Sequence, residues 1–149
     1  MDDAFTYVKS NGGLPTESNY PYSSGNGIQG ACQTGKTMVS GVAPKSYTDV
    51  TPNSVSALAD AVSKQPVSIA IEADQASFQF YSSGVLTSGC GQQLDHGVLA
   101  VGYGTLNGVD YWKVKNSWGT TWGDDGYILI KKDSSNLCGV LSAASYPNL

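Results

Sequence analysis

Two strand-like segments joined through an Asn-Gly pair constrain this chain more than any other feature. Residues 97–105 and 111–118 read as strands, and Leu106-Asn107-Gly108-Val109-Asp110 lies between them. Asparagine and glycine tolerate the left-handed backbone of a tight two-residue turn, so the stretch predicts a β-hairpin. Adjacent strands lie about 4.8 Å apart. Residues at the two far ends of such a hairpin therefore become neighbours, and here those residues are His96 and Asn116.

The hairpin belongs to a longer strand-rich half. Val67, Ile69 and Ile71 alternate with Ser68, Ala70 and Glu72, the period of a half-buried strand. Residues 127–132 and 142–146 predict two further strands. Helical signals lie earlier. Met1, Ala4, Phe5 and Val8 repeat at helical spacing over residues 1–10, with Asp2 and Asp3 at the positive end of the helix and Gly12, Gly13 and Pro15 as the stop. A second helix is predicted from an N-cap at Thr51 and Pro52 in its first turn, with Val55, Leu58, Ala59 and Val62 as its apolar stripe and Pro66 as its end. Residues 16–46 lack a sustained period and read as ordered loop with short strands. A little helix followed by an antiparallel sheet or barrel is an α+β arrangement.

Composition removes several function classes. A chain of 149 residues fits one domain and can bury a real core without disulfides. The net charge is −4, and all eight basic residues are lysine, which argues against nucleic-acid binding. No apolar run approaches the roughly 20 residues that span a bilayer, and Met1 followed by Asp2 and Asp3 does not read as a secretory leader. Cys32, Cys90 and Cys138 match no CxxC metal pattern, and one histidine cannot complete a zinc site. The cysteines fit either three buried thiols or one disulfide plus an orphan, and composition does not choose.

A lone histidine is ordinarily a hydrogen-bonded structural residue, and a lone asparagine after a strand ordinarily caps its own turn. Together at one mouth of a hairpin they can do more. The asparagine oxygen can accept the imidazole N–H and fix the ring's tautomer and orientation. Trp118 and Trp122 follow closely and could exclude water from such a pair, although core packing would use them equally well. Two other patterns carry nothing. Gly102-Tyr103-Gly104 lacks the third glycine and the helix of a dinucleotide loop, and Asp124, Asp125 and Asp133 lack calcium-loop spacing.

Residues 94–104 resemble the histidine signature of the papain family of cysteine peptidases. Asn116-Ser117-Trp118, then Trp122-Gly123 and Gly126-Tyr127, resemble its asparagine signature. The likeness extends along the chain. Met1-Asp2-Asp3-Ala4-Phe5 is similar to the helix after the family's Gly-Gly segment, Tyr20-Pro21-Tyr22 to a family loop, and residues 138–147 to a cathepsin L-type C-terminus. Lys113 departs from the pattern, standing where an aliphatic residue is commoner. A larger departure is the nucleophile. The family's Cys-Gly-(Ser/Ala)-Cys-(Trp/Tyr) motif lies about 130–150 residues before the histidine, which from His96 passes residue 1. Cys32, Cys90 and Cys138 sit in Ala-Cys-Gln, Gly-Cys-Gly and Leu-Cys-Gly contexts that do not replace it.

The resemblance implies a papain-like right lobe over residues 46–149, and over 1–45 the tail of the helical left lobe with the crossover. It implies His96 as the catalytic base, Asn116 as its orienting partner, and Trp118 and Trp122 as supports. Met1, Ala70, Leu94 and Ala143 match positions around an apolar pocket for the second residue before the scissile bond, and Asp95 and Gly97 match residues flanking the cleft. It implies a disulfide between Cys90 and Cys138, leaving Cys32 without a partner in this chain. The expected partners are a peptide or protein substrate, an N-terminal lobe carrying the catalytic cysteine, and cystatin-type or propeptide inhibitors. No cofactor, metal or membrane is expected, and a disulfide would suit a lysosomal, vacuolar or extracellular compartment. The alternatives are a catalytically inactive peptide- or inhibitor-binding module of the same fold, or an isolated fragment without a native role.

Overall fold

A computed structural model describes residues 1–149, and the chain divides into two compact units. One comprises Met1 and residues 48–146; the other comprises residues 2–47 and 147–149.

In the smaller unit, α1 (Asp2–Ser10) carries Asp2 and Asp3 in its first turn and Lys9 in its last, complementing the helix dipole at both ends. Gly12 and Gly13 follow with φ of 75° and 144°, conformations open to glycine, and the helix stops. Of the short strands expected within residues 16–46, none forms before a strand begins at Ser46. Isolated hydrogen bonds fix this loop instead: Asn19 Nδ2 to the Thr37 carbonyl at 3.2 Å, the Gln33 N–H to the Tyr20 hydroxyl at 3.0 Å, and the Val39 N–H to the Leu14 carbonyl at 2.8 Å. Gly27, Gly35 and Gly41 take positive φ within this loop, a conformation open to glycine that interrupts extended backbone at each of them.

The larger unit is strand-rich. Its elements are α2 (Val55–Val62), β2 (Val67–Ile71), α3 (Ala76–Gln79), β3 (Val85–Leu86), β4 (His96–Leu106), β5 (Val109–Lys115), β6 (Tyr127–Lys131) and a 3-10 turn at Leu137–Gly139. With β1 (Ser46–Asp49) and β7 (Ala144–Asn148), the strands form one sheet in the order β1-β7-β2-β4-β5-β6-β3. The expected hairpin is β4–β5. Leu106 faces Val109, and Asn107 and Gly108 take φ of 51° and 79°, the left-handed pair this turn needs. The sheet is not wholly antiparallel: β3 runs parallel to β6, with Val85 opposite Leu129.

Alternation places the core. Val67, Ile69 and Ile71 of β2, Ala100 of β4, Trp112 and Val114 of β5, and Ile128 and Ile130 of β6 are buried on one side. Leu58, Ala61 and Val62 of α2 belong to the same core. Lys113 projects outward, with its Nζ 4.7 Å from the Tyr127 ring centroid, so its departure from the family pattern costs the core nothing.

Several boundaries differ from expectation, three of them by two residues or more where local contacts mark the change. α2 starts at Val55 rather than at Pro52, because Asn53 is left-handed (φ 56°) and its N–H is used by the Leu141 carbonyl. Ser54 is the cap, its Oγ accepting the Ala57 N–H at 3.2 Å. β5 ends at Lys115, three residues before Trp118, although the Asn116 N–H still donates in register to the Gly126 carbonyl at 2.9 Å. β7 begins two residues late, because the Ser142 N–H closes a turn onto Gly139 at 2.9 Å.

Candidate active site

His96 opens β4 and pairs with Ile71 of β2, so its backbone sits inside the sheet rather than on a loose loop. Asn116 is the first residue beyond β5. A regular ladder counted from the Asn107–Gly108 turn would place Asn116 opposite Leu99, on the other face from His96. The ladder is not regular. Gly102 faces Lys113 but Ala100 faces Val114, so Val101 is an extra residue and the register slips by one. Continued past Leu99–Lys115, the slipped register sets Asn116 across from Val98, on the face that His96 shares.

The side chains meet. His96 Nε2 lies 2.8 Å from Asn116 Oδ1. The same oxygen accepts the Ser117 N–H at 2.8 Å, which identifies it as the acceptor and makes Nε2–H the donor. The neutral ring thus carries its proton on Nε2, and Nδ1 is left with its lone pair. Asn116 is buried, and its Nδ2 has no hydrogen-bond partner.

The two tryptophans do different jobs. Trp118 stacks on His96, ring centroids 5.2 Å apart at 27°, and remains 41% exposed as a partial cover. Trp122 does not stack on the imidazole. Its indole stands edge-on to Trp118 at 5.3 Å, packs on Phe78 at 5.1 Å, and donates Nε1–H to the Gln79 carbonyl at 2.9 Å. Phe78 of α3, fully buried, meets Trp118 edge-on at 5.5 Å. Nothing in the sequence pattern around it marks it as part of the site. The available signal was the i, i+3 spacing of Phe78 and Tyr81, too short a run to predict a four-residue helix. Burial pushes the Tyr81 phenol up; its hydroxyl donates to the Gly84 carbonyl and accepts the Leu129 N–H.

An open cavity of about 380 Å³ adjoins the pair, with Met1, Gly97, Leu99, Lys115 and Asn116 in its lining. Of the six residues expected around the substrate, Met1 and Gly97 line it. Ala70 faces Gly97 across the β2–β4 ladder and donates its N–H to the Ala143 carbonyl at 3.0 Å, so those three sit side by side. Leu94 is 40% exposed near Gly139. The Asp95 carboxylate is occupied by a structural contact, its Oδ1 accepting the Ala73 N–H at 2.8 Å, while its own N–H donates to Ile71.

Cys90 and Cys138 are disulfide-bonded, with Cα atoms 4.8 Å apart, inside the usual 4.4–6.8 Å range. Cys32 is free and exposed. Chemically, the arrangement is an imidazole of fixed tautomer with one face partly covered by Trp118 and with Nδ1 outside the Asn116 contact.

Comparison with known proteins identifies the family. The profile described as "Papain family cysteine protease" matches residues 1–148. The chain is 52% identical over 152 residues to cysteine endopeptidase RepA of Oryza sativa subsp. japonica, covering 99% of this chain and 39% of that protein. It is 48% identical to vignain of Ricinus communis, covering 99% of this chain and 41% of that one. The chain thus spans about two-fifths of the length of these relatives. Among solved structures, bromelain from Ananas comosus in complex with the E64 inhibitor superposes with a TM-score of 0.88 at 41% identity, covering 99% of this chain and 68% of the other. The proform of Amb a 11, a ragweed pollen cysteine protease, gives 0.89 at 39% identity, covering 100% and 46%. With its α+β sheet, its histidine–asparagine contact and a family match along nearly its whole length, this chain belongs to the papain family of cysteine proteases.

Proposed function

We propose that this chain contributes the histidine and asparagine of a Cys-His-Asn endopeptidase whose thiol comes from polypeptide outside these 149 residues. The observation that carries the reading is the 2.8 Å contact between His96 Nε2 and Asn116 Oδ1. It leaves Nδ1 as the atom that takes a proton from an approaching thiol. The thiolate then attacks the peptide carbonyl carbon, and the C–N bond breaks as Nδ1–H protonates the departing amine. A thioester remains. His96 next accepts a proton from water, whose oxygen displaces the thiolate and releases the acid. Asn116 holds the ring in one tautomer through the cycle, and Trp118 keeps water from the Nε2–Oδ1 bond.

By itself the chain forms no acyl-enzyme. Cys90 and Cys138 share a bond, and Cys32 lacks the family's nucleophile motif. The alternative reading is a catalytically inactive peptide- or inhibitor-binding module of the same fold. Met1, Ala70, Leu94 and Ala143 are apolar and favour a bulky hydrophobic side chain two residues before the scissile bond. Propeptides and cystatin-type inhibitors are the expected protein ligands. The disulfide favours a vacuolar, lysosomal or extracellular setting, because such bonds are rare where thiols are kept reduced.

The test is reconstitution. Joined to an N-terminal lobe with the Cys-Gly-(Ser/Ala)-Cys-(Trp/Tyr) motif, the chain should acquire peptidase activity that iodoacetamide abolishes. His96→Ala should remove that activity while leaving the fold intact. Retained activity in that variant would reject the assignment of the base.

A further inference from the structure

Glu72 has no place in the chemistry above, yet it is a carboxylate only 4% exposed in the residue after Ile71, the β2 partner of His96. A buried charge is costly, and this one is not returned by an ion pair: the two salt bridges in the chain are Lys64–Asp60 and Lys131–Asp133. Its oxygens are instead held by neutral donors. Oε1 accepts Gln75 Nε2 at 2.9 Å, and Oε2 accepts the backbone N–H of Gln93 at 3.3 Å. Gly91 lies so close that an added Cβ would overlap Oε2. The carboxylate therefore rests directly on the backbone of residues 91–93.

That segment runs from the disulfide at Cys90 to His96. Its far end is already tied, since Asp95 donates to the Ile71 carbonyl at 2.9 Å, and its near end is tied through Cys138. Glu72 grips the middle. We infer that Glu72 is a positioning residue: its buried carboxylate braces the loop entering His96 and so holds the imidazole in register with Asn116. The inference rests on the His96–Asn116 reading proposed above, and it assigns Glu72 no contact with substrate.

His96 is the sole histidine, so its ¹⁵N resonances report one imidazole without interference. At a pH where the ring is neutral, the unsubstituted chain should show Nε2 protonated and Nδ1 unprotonated. Glu72→Ala orphans the Gln93 N–H and frees the loop, and the two nitrogens should then approach the averaged shifts of a ring that exchanges tautomers. Glu72→Gln keeps an oxygen for Gln93 and should restore the fixed tautomer. Gly91→Ala, whose added Cβ would overlap the Oε2 that accepts the Gln93 N–H, should act like Glu72→Ala and carries the test if that variant does not fold. A folded Glu72→Ala or Gly91→Ala chain whose tautomer stays fixed would overturn the inference while leaving the dyad intact, even if its melting temperature fell. An unsubstituted chain with no tautomer preference would overturn both readings.

Discussion

His96 Nε2 lies 2.8 Å from Asn116 Oδ1, though the register of their two strands slips by one residue between Ala100 and Gly102. The contact uses one asparagine oxygen for two donors, the imidazole and the Ser117 N–H. Removing that oxygen leaves both without a partner.

Asn116→Ala is therefore expected to lower kcat/KM of the reconstituted peptidase by about ten- to a hundredfold, the equivalent of about 1–3 kcal/mol for a lost buried acceptor. Steady-state kinetics on a short peptide substrate would measure it. An unchanged kcat/KM would show that the ring is oriented by something else.

The Cys90–Cys138 bond spans a sequence separation of 48. Chain-entropy arithmetic for such a loop gives about 4 kcal/mol of stabilisation. Urea unfolding of Cys90→Ala/Cys138→Ala against the oxidised parent should show a loss of that order. A loss below about 1 kcal/mol would mean that packing of the 3-10 turn, rather than the bond, holds the segment.

Phe78 is fully buried under Trp118 and Trp122. Phe78→Ala should cost about 3–5 kcal/mol. It should also loosen the indole that stacks on His96, seen as a red shift in tryptophan emission under native conditions. Lost stability with unaltered emission would show that Trp118 stands without this support.

Asp133 shows how a charge outside the site responds to pH. The Lys131 ammonium, 2.6 Å away, and next the Ser135 hydroxyl hold its carboxyl down to about 2. A depressed carboxyl stabilises the fold above its unfolded value near 3.9, and that contribution disappears as pH falls through about 2. Asp133→Asn should thus be less stable than the parent at pH 7 by under about 1 kcal/mol, since the pair is solvent-screened. The gap should close between about pH 4 and pH 2. Urea midpoints that differ equally at pH 7 and pH 2 would contradict the ion-pair origin.

Short-range patterns in the chain were sufficient for much of this. The Asn107–Gly108 turn, the alternation of Val67, Ile69 and Ile71, and the stop at Gly12–Gly13 each depend on neighbours within a few residues. Such preferences are written locally, and the structure has them where expected. The lone histidine and the asparagine signature likewise marked both side chains that meet. What lay beyond the sequence involved partners far apart in the chain. Asn53 turns left-handed while its N–H is held by Leu141, which moves the start of α2; Phe78 matters only because Trp118 and Trp122 fold over it. Glu72 reads as an ordinary exposed strand residue until Gln93, twenty-one positions later, is laid on its carboxylate. The extra residue at Val101 decides most. A straight ladder from the turn would have sent Asn116 to the face away from His96, because strand side chains alternate with a period of two. The residue letters named the pair, but the bulge in the β4–β5 ladder put the two side chains on one face.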